Sequence, residues 1–134
     1  CGLKITKIFD KYGEKYFREK EEKIVLNILL NDKTPCVLAL GGGAFLNKKL
    51  QKIILKKTIS VWLDANLELI YKRCKKSNKR PLLYESNDKK IKKIIKNLLK
   101  IRNPIYSKAE FVVKTNEAPI KVCDKILIYI KNLI

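Results

Sequence analysis

Four arginines, Arg18, Arg73, Arg80 and Arg102, stand among 31 basic residues whose remaining members are all lysine. Where lysine is the default cation, an arginine marks a position that needs a planar fork able to grip a carboxylate or phosphate through two parallel bonds. Arg18 lies in the run Phe17-Arg18-Glu19-Lys20-Glu21-Glu22, where helical spacing sets it beside both Glu21 and Glu22; either carboxylate could hold the guanidinium in one pose. A glycine triplet, Gly41-Gly42-Gly43, follows an apolar run over residues 36–40. Glycines there let a backbone approach a ligand closely and offer its N–H groups. The triplet is not a phosphate-binding P-loop, because no GxxxxGK followed by Ser or Thr occurs anywhere in the sequence. Two further arginines stand beside prolines, in Lys79-Arg80-Pro81-Leu82-Leu83 and Arg102-Asn103-Pro104-Ile105-Tyr106.

Other chemistries are excluded by composition. The chain has no histidine, and its four cysteines, Cys1, Cys36, Cys74 and Cys123, are widely spaced. This leaves no CxxC redox pair, no ordinary zinc site and no Cys-His nucleophile. Cys36 sits in an apolar run and Cys123 in an apolar helical stretch, so both are expected to pack as small hydrophobes in a reducing, cytoplasmic compartment.

The elements that must carry these residues can be read from periodicity. Helices are expected over 4–11 and 14–31, broken at Gly13, with Ile5, Ile8, Phe9 and Tyr12 on one apolar stripe and Phe17, Ile24, Val25, Ile28 and Leu29 on another; Arg18 shares the second with Val25 and Leu29. The run 36–40 reads as a strand buried on both faces, leading through the glycines into a helix over about 45–56. A strand over 58–63 precedes a helix over about 66–76. Residues 77–88 read as a polar loop, followed by a lysine-rich amphipathic helix over about 88–101 with Ile91, Ile94, Ile95, Leu98 and Leu99 inward. A proline-containing turn or short helix over 103–108, a strand over 109–114 and a closing helix over 119–133 complete the chain. Alternation of strands and helices predicts an α/β fold, a parallel sheet covered by helices, in one domain over 1–134.

The net charge of +18 invites a nucleic-acid reading, since clustered cations release counterions from phosphates. Composition favours a plainer origin: 18 Ile and ten Asn accompany the lysines, the signature of A/T-rich codons. The lysines are spread along the chain without a basic arm, so no nucleic-acid partner is expected. No run of apolar residues is long enough to span a bilayer, so no membrane partner is expected either.

In order, the segments Phe17-Arg18-x-x-Glu21, Gly41-Gly42-Gly43, Arg80-Pro81-Leu82-Leu83 and Arg102-x-Pro104-x-Tyr106 resemble the shikimate kinase family over essentially the whole chain. The resemblance implies a P-loop kinase-like sheet flanked by helices, of the nucleoside-monophosphate-kinase type, with a lid over about 77–90. It implies transfer of the ATP γ-phosphoryl group to the 3-hydroxyl of shikimate, with Mg²⁺, by a monomer. On this sequence it puts Arg18 and Arg102 at the shikimate carboxylate and Glu21 behind Arg18. Gly42 and Gly43 become backbone donors to the substrate hydroxyls, with Phe9 and Phe17 as an apolar wall. Arg80 becomes the catalytic lid cation over the phosphates, with Pro81 and Leu82 beside the substrate. Arg73 is set against adenine, with the loop ending at Pro119 on the other side. Alternatives are another small-molecule or nucleotide kinase of the same fold, or a non-catalytic basic module that binds nucleic acid.

The family pattern also begins with two strands and a P-loop that do not occur before Cys1. With Cys at position 1 and no Met in the chain, the amino end of the natural protein is expected to lie outside this sequence. The Mg²⁺ ligands are expected in that segment, and the 134 residues alone are expected to be inactive. Retained strands would then expose apolar surface and unpaired backbone groups.

Overall fold

Gly13 divides the first helix. The computed structural model describes residues 2–31, 34–75 and 87–133. In it α1 spans Ile5–Asn31, with non-helical dihedrals at Gly13 (φ 78°, ψ 170°). That region of backbone space is open essentially to glycine alone, which is why the expected break falls there. Contacts divide the chain into two compact units, residues 1–57 and 58–134.

In the first unit α1 leads, through residues 34–43, into a 3-10 turn at Ala44–Leu46 and then α2, Lys48–Lys57. Asn47 starts α2: its side-chain carbonyl accepts from the backbone N–H groups of Lys49 (2.9 Å) and Leu50 (3.2 Å), satisfying donors the first turn leaves open. The core is Val25 of α1 with Ala44, Leu50 and Ile54, flanked by Leu26, Leu29, Leu40 and Phe45. Glu22 ties the two helices together, accepting from Asn47 Nδ2 (2.7 Å) and Lys49 Nζ (2.8 Å).

The expected strand over 36–40 does not form: the segment is extended chain without a ladder, and Val37 is fully exposed. An apolar run becomes a strand only when a neighbour presents its own row of N–H and C=O groups, and among the described residues none does so. Cys36 is accordingly exposed, which corrects its expected core position.

The second unit holds the sheet. Strand β1, Val61–Asp64, pairs in parallel with β2, Phe111–Lys114, in the register Val61 to Phe111 through Asp64 to Lys114. Two strands can run parallel only if the chain crosses over between them, and α3 (Leu67–Lys75) and α4 (Asp88–Tyr106) lie on that crossover. Buried polar residues close the ladder. Ser60 Oγ accepts from the Glu110 N–H at 3.0 Å, and Thr115 donates to the Asp64 carbonyl from its N–H (2.8 Å) and its hydroxyl (3.1 Å).

Helix α4 buries Ile95 and half-buries Ile91, Ile94, Leu98 and Leu99, the face expected from their spacing. Its length differs from expectation. It runs on through Pro104 to Tyr106, because a proline in the last turn of a helix forfeits one backbone bond and leaves only a few residues to follow. The closing helix α5, Pro119–Lys131, lies on β2, with Val122 buried and the Tyr129 ring stacked on Phe111 at 4.1 Å. Cys123 is exposed, again against the packing expected of it; Cys74 on α3 is the cysteine that is buried. An apolar sequence around a helical residue says nothing about which face looks inward, and on α5 that face is the one carrying Val122. Leu63 and Val112 on the strands are exposed large apolar residues.

Candidate functional site

Arg18 is held by carboxylates on two sides. Its Nη1 donates to Glu21 Oε2 at 2.7 Å. On the other side, Nε and Nη2 donate to one oxygen of Glu14, at 3.2 and 3.1 Å. The two carboxylates differ in setting: the Glu21 side chain is 13% exposed, that of Glu14 59%. Partial burial works against the Arg18 cation, but the bonds from Glu21 and Glu14 outweigh it and raise its pKa from the ordinary arginine value. Arg18 is thus a fixed, permanently charged fork.

Of the two carboxylates the sequence left open, Glu21 takes the arginine and Glu22 is spent on Asn47 and Lys49. Those bonds, Lys49 first and Asn47 second, hold the Glu22 carboxyl below its ordinary range. Glu14 was not anticipated; its position four residues before Arg18 is the signal that could have found it.

Phe9 and Phe17, on either side of the Gly13 break, approach to 4.9 Å between ring centroids at 43°. The Arg18 guanidinium carbon lies 5.1 Å from the Phe17 ring centre, within cation–π range. The glycine triplet forms a turn in which the Ala44 N–H donates to the Gly41 carbonyl at 3.0 Å. Gly43 faces Arg18 and Gly41 faces Glu21. Phe9, Phe17, Arg18, Glu21 and Gly43 therefore gather in one place, with Gly42 between the two facing glycines.

In the second unit, Arg73 Nη2 donates to the Thr115 carbonyl at 3.2 Å, setting its guanidinium beside the loop that ends at Pro119, the first residue of α5. Arg102 is half-buried on α4 and has no hydrogen-bond or ion-pair partner among the described residues. Arg80, Pro81 and Leu82 lie outside the described residues, as does most of the expected lid; residues 88–90 are the first turn of α4, capped by Asn87, whose side chain accepts from the Lys90 N–H. Among the described residues no three His, Cys, Asp or Glu side chains gather as a metal site, and no helix is long and apolar enough to cross a membrane.

The sequence profile of shikimate kinase matches residues 1–131. The chain belongs to the shikimate kinase family. It is 38% identical over 115 residues to the shikimate kinase of Bartonella henselae, a match that covers 86% of this chain and 52% of that relative. It spans between about half and two thirds of the length of the curated relatives it matches. Among solved structures, the shikimate kinase from Acinetobacter baumannii in complex with shikimate superposes with a TM-score of 0.84 at 29% identity, over 98% of this chain and 72% of that one. The shikimate kinase from Aquifex aeolicus gives 0.78 at 35% identity, over 97% and 73%. A parallel sheet flanked by helices is thus both what the second unit shows and what the family shares.

Proposed function

We propose that the whole protein transfers the γ-phosphoryl group of ATP to the 3-hydroxyl of shikimate, a step of aromatic amino acid biosynthesis. The observation that carries this reading is the fixed Arg18 fork, held by Glu21 on one side and opened to its neighbours by glycines on another. Shikimate is a small carboxylate bearing hydroxyls on a partly apolar ring. A guanidinium is the group that grips such a carboxylate through two bonds. Phe9 and Phe17 supply the apolar wall, and the backbone of Gly42 and Gly43 supplies donors to the hydroxyls. Arg102, half-buried and unpaired among the described residues, is the second cation for the carboxylate.

Arg73 is the planar cation proposed against the adenine of ATP, with the loop ending at Pro119 on the far side; its bond to Thr115 fixes its plane. Arg80 is the cation proposed to close over the phosphates, and Pro81 and Leu82 to flank the substrate. Catalysis of this kind is chiefly positioning and neutralisation of charge on the transferred group, so these arginines orient the acceptor hydroxyl and compensate phosphate charge. The described residues do not form a site that fits Mg²⁺.

Titration with shikimate tests the reading. Arg18→Lys and Arg102→Lys are each expected to weaken binding by about 1–3 kcal/mol, the range for a lost charged hydrogen bond. Unchanged affinity in both variants would remove shikimate as the substrate and favour another kinase of the same fold.

A further inference from the structure

The glycine triplet has a conformation that does not need glycine. Gly43 sits at φ −93°, ψ −21°, ordinary right-handed helical backbone open to any residue. Gly41 and Gly42 also lie outside the left-handed region, which among the described glycines only Gly2 and Gly13 occupy. What these positions lack is room. A Cβ on Gly43 would stand 2.4 Å from Arg18 Cζ, 2.4 Å from Nη2 and 2.5 Å from Nη1. Carbon makes favourable contacts at about 3.5–4.0 Å, so the overlap is severe. The three nearly equal distances put that point over the flat face of the guanidinium at its Nη end, not in line with its N–H bonds. On Gly41 a Cβ would come 3.0 Å from Glu21 Oε1. The first and third glycines thus face the two members of one ion pair.

Resting on the functional reading above, we infer that Gly43 and Gly41 are positioning residues: their missing side chains form the seat in which Arg18 and Glu21 are held for the substrate carboxylate. Gly43 backs the donor-free face of the guanidinium and leaves its in-plane N–H bonds to acceptors. Gly41 leaves the space in which the Glu21 carboxylate reaches Nη1. A methyl group at 43 displaces Arg18 without breaking the fold, because a long side chain can swing into solvent at little cost.

The test follows the Arg18 Nε–H resonance by NMR in the full chain, with thermal unfolding and shikimate titration beside it. Gly43→Ala is expected to shift the Arg18 Nε–H resonance and weaken shikimate binding by roughly ten- to a hundredfold, the size of one lost charged hydrogen bond. Its thermal midpoint should stay close to that of the parent. Gly41→Ala should give a smaller loss of the same kind, since it meets one movable carboxylate oxygen. In an Arg18→Ala background, where the space is empty, Gly43→Ala should leave the midpoint unchanged.

An unaltered Arg18 resonance in Gly43→Ala would overturn the inference. So would a larger effect at Gly41 than at Gly43. A Gly43→Ala chain that unfolds and is not restored by Arg18→Ala would show a backbone requirement and overturn it as well. Absence of shikimate binding in the parent would instead defeat the substrate reading, while the Arg18 resonance still decides the role of the glycines.

Discussion

At the scale of single residues, the spacing of charges predicted partners but not which partner wins. Glu21 and Glu22 are both within helical reach of Arg18, and only the position of Asn47 and Lys49 draws Glu22 away. The two carboxylates that remain on Arg18 should not be equivalent. Glu21→Gln is expected to loosen Arg18 and weaken shikimate binding several-fold, less than a full charged hydrogen bond is worth, because the amide oxygen can still accept from Nη1. Glu14→Gln should have a smaller effect, because an exposed i,i+4 pair contributes at most about 0.5 kcal/mol. Parallel titrations of the two variants would show the order. Leu50, with 1% of its surface exposed, is the side chain at the centre of the first unit's core. Leu50→Ala should cost about 2–5 kcal/mol in denaturant unfolding, through lost transfer energy and the cavity left behind.

At the scale of elements, the break in α1 was legible because it is local. Gly13 interrupts α1, and Asn66 and Asn87 cap α3 and α4 through bonds to backbone N–H groups three residues on. Asn47 does the same for α2, and Asn47→Ala should destabilise the chain by about 0.5–2 kcal/mol, measured by thermal unfolding. The tie between α1 and α2 also sets a pH dependence. The folded pKa of Glu22 is lowered, first by Lys49 and then by Asn47. Its contribution is therefore complete above the ordinary glutamate range, near about 4.3, and is lost as pH falls through the lower folded value. The acid limb of the stability curve should be shallower in Glu22→Gln than in the parent. The strand expected over 36–40 shows where local reading stops. Its residues are apolar enough, but pairing is a property of two segments, and amide exchange over 36–40 is expected to be fast beside that of β1 and β2.

At the scale of the whole molecule, the dominant quantity is a net charge of +18. Surface pairs such as Lys92–Glu68 and Lys75–Asp88 offset little of it, since exposed ion pairs are each worth about 0–1 kcal/mol. Repulsion among the excess lysines should therefore prevail, and the thermal midpoint should rise as salt is raised and screening shortens to about 8 Å. A fall in the midpoint with salt would show instead that the ion pairs dominate. A polypeptide of these 134 residues alone is expected to form no phosphorylated shikimate in a coupled assay, because no loop of the GxxxxGK type lies within it to cradle phosphates.

What the sequence determined unaided is whatever depends on neighbours along the chain. The inward face of α4, the Gly13 break, the glycine triplet and the three arginine-bearing motifs follow from spacing and from the narrow demands of each residue type. Tertiary structure decided the rest. It chose Glu21 over Glu22, turned Cys36 and Cys123 outward, left 36–40 unpaired and set Arg18 flat against Gly43. Each of these depends on where a segment distant in sequence comes to lie. The glycine triplet shows the division most sharply, since its composition was visible from the start but its use as a seat appears only once α1 lies against it.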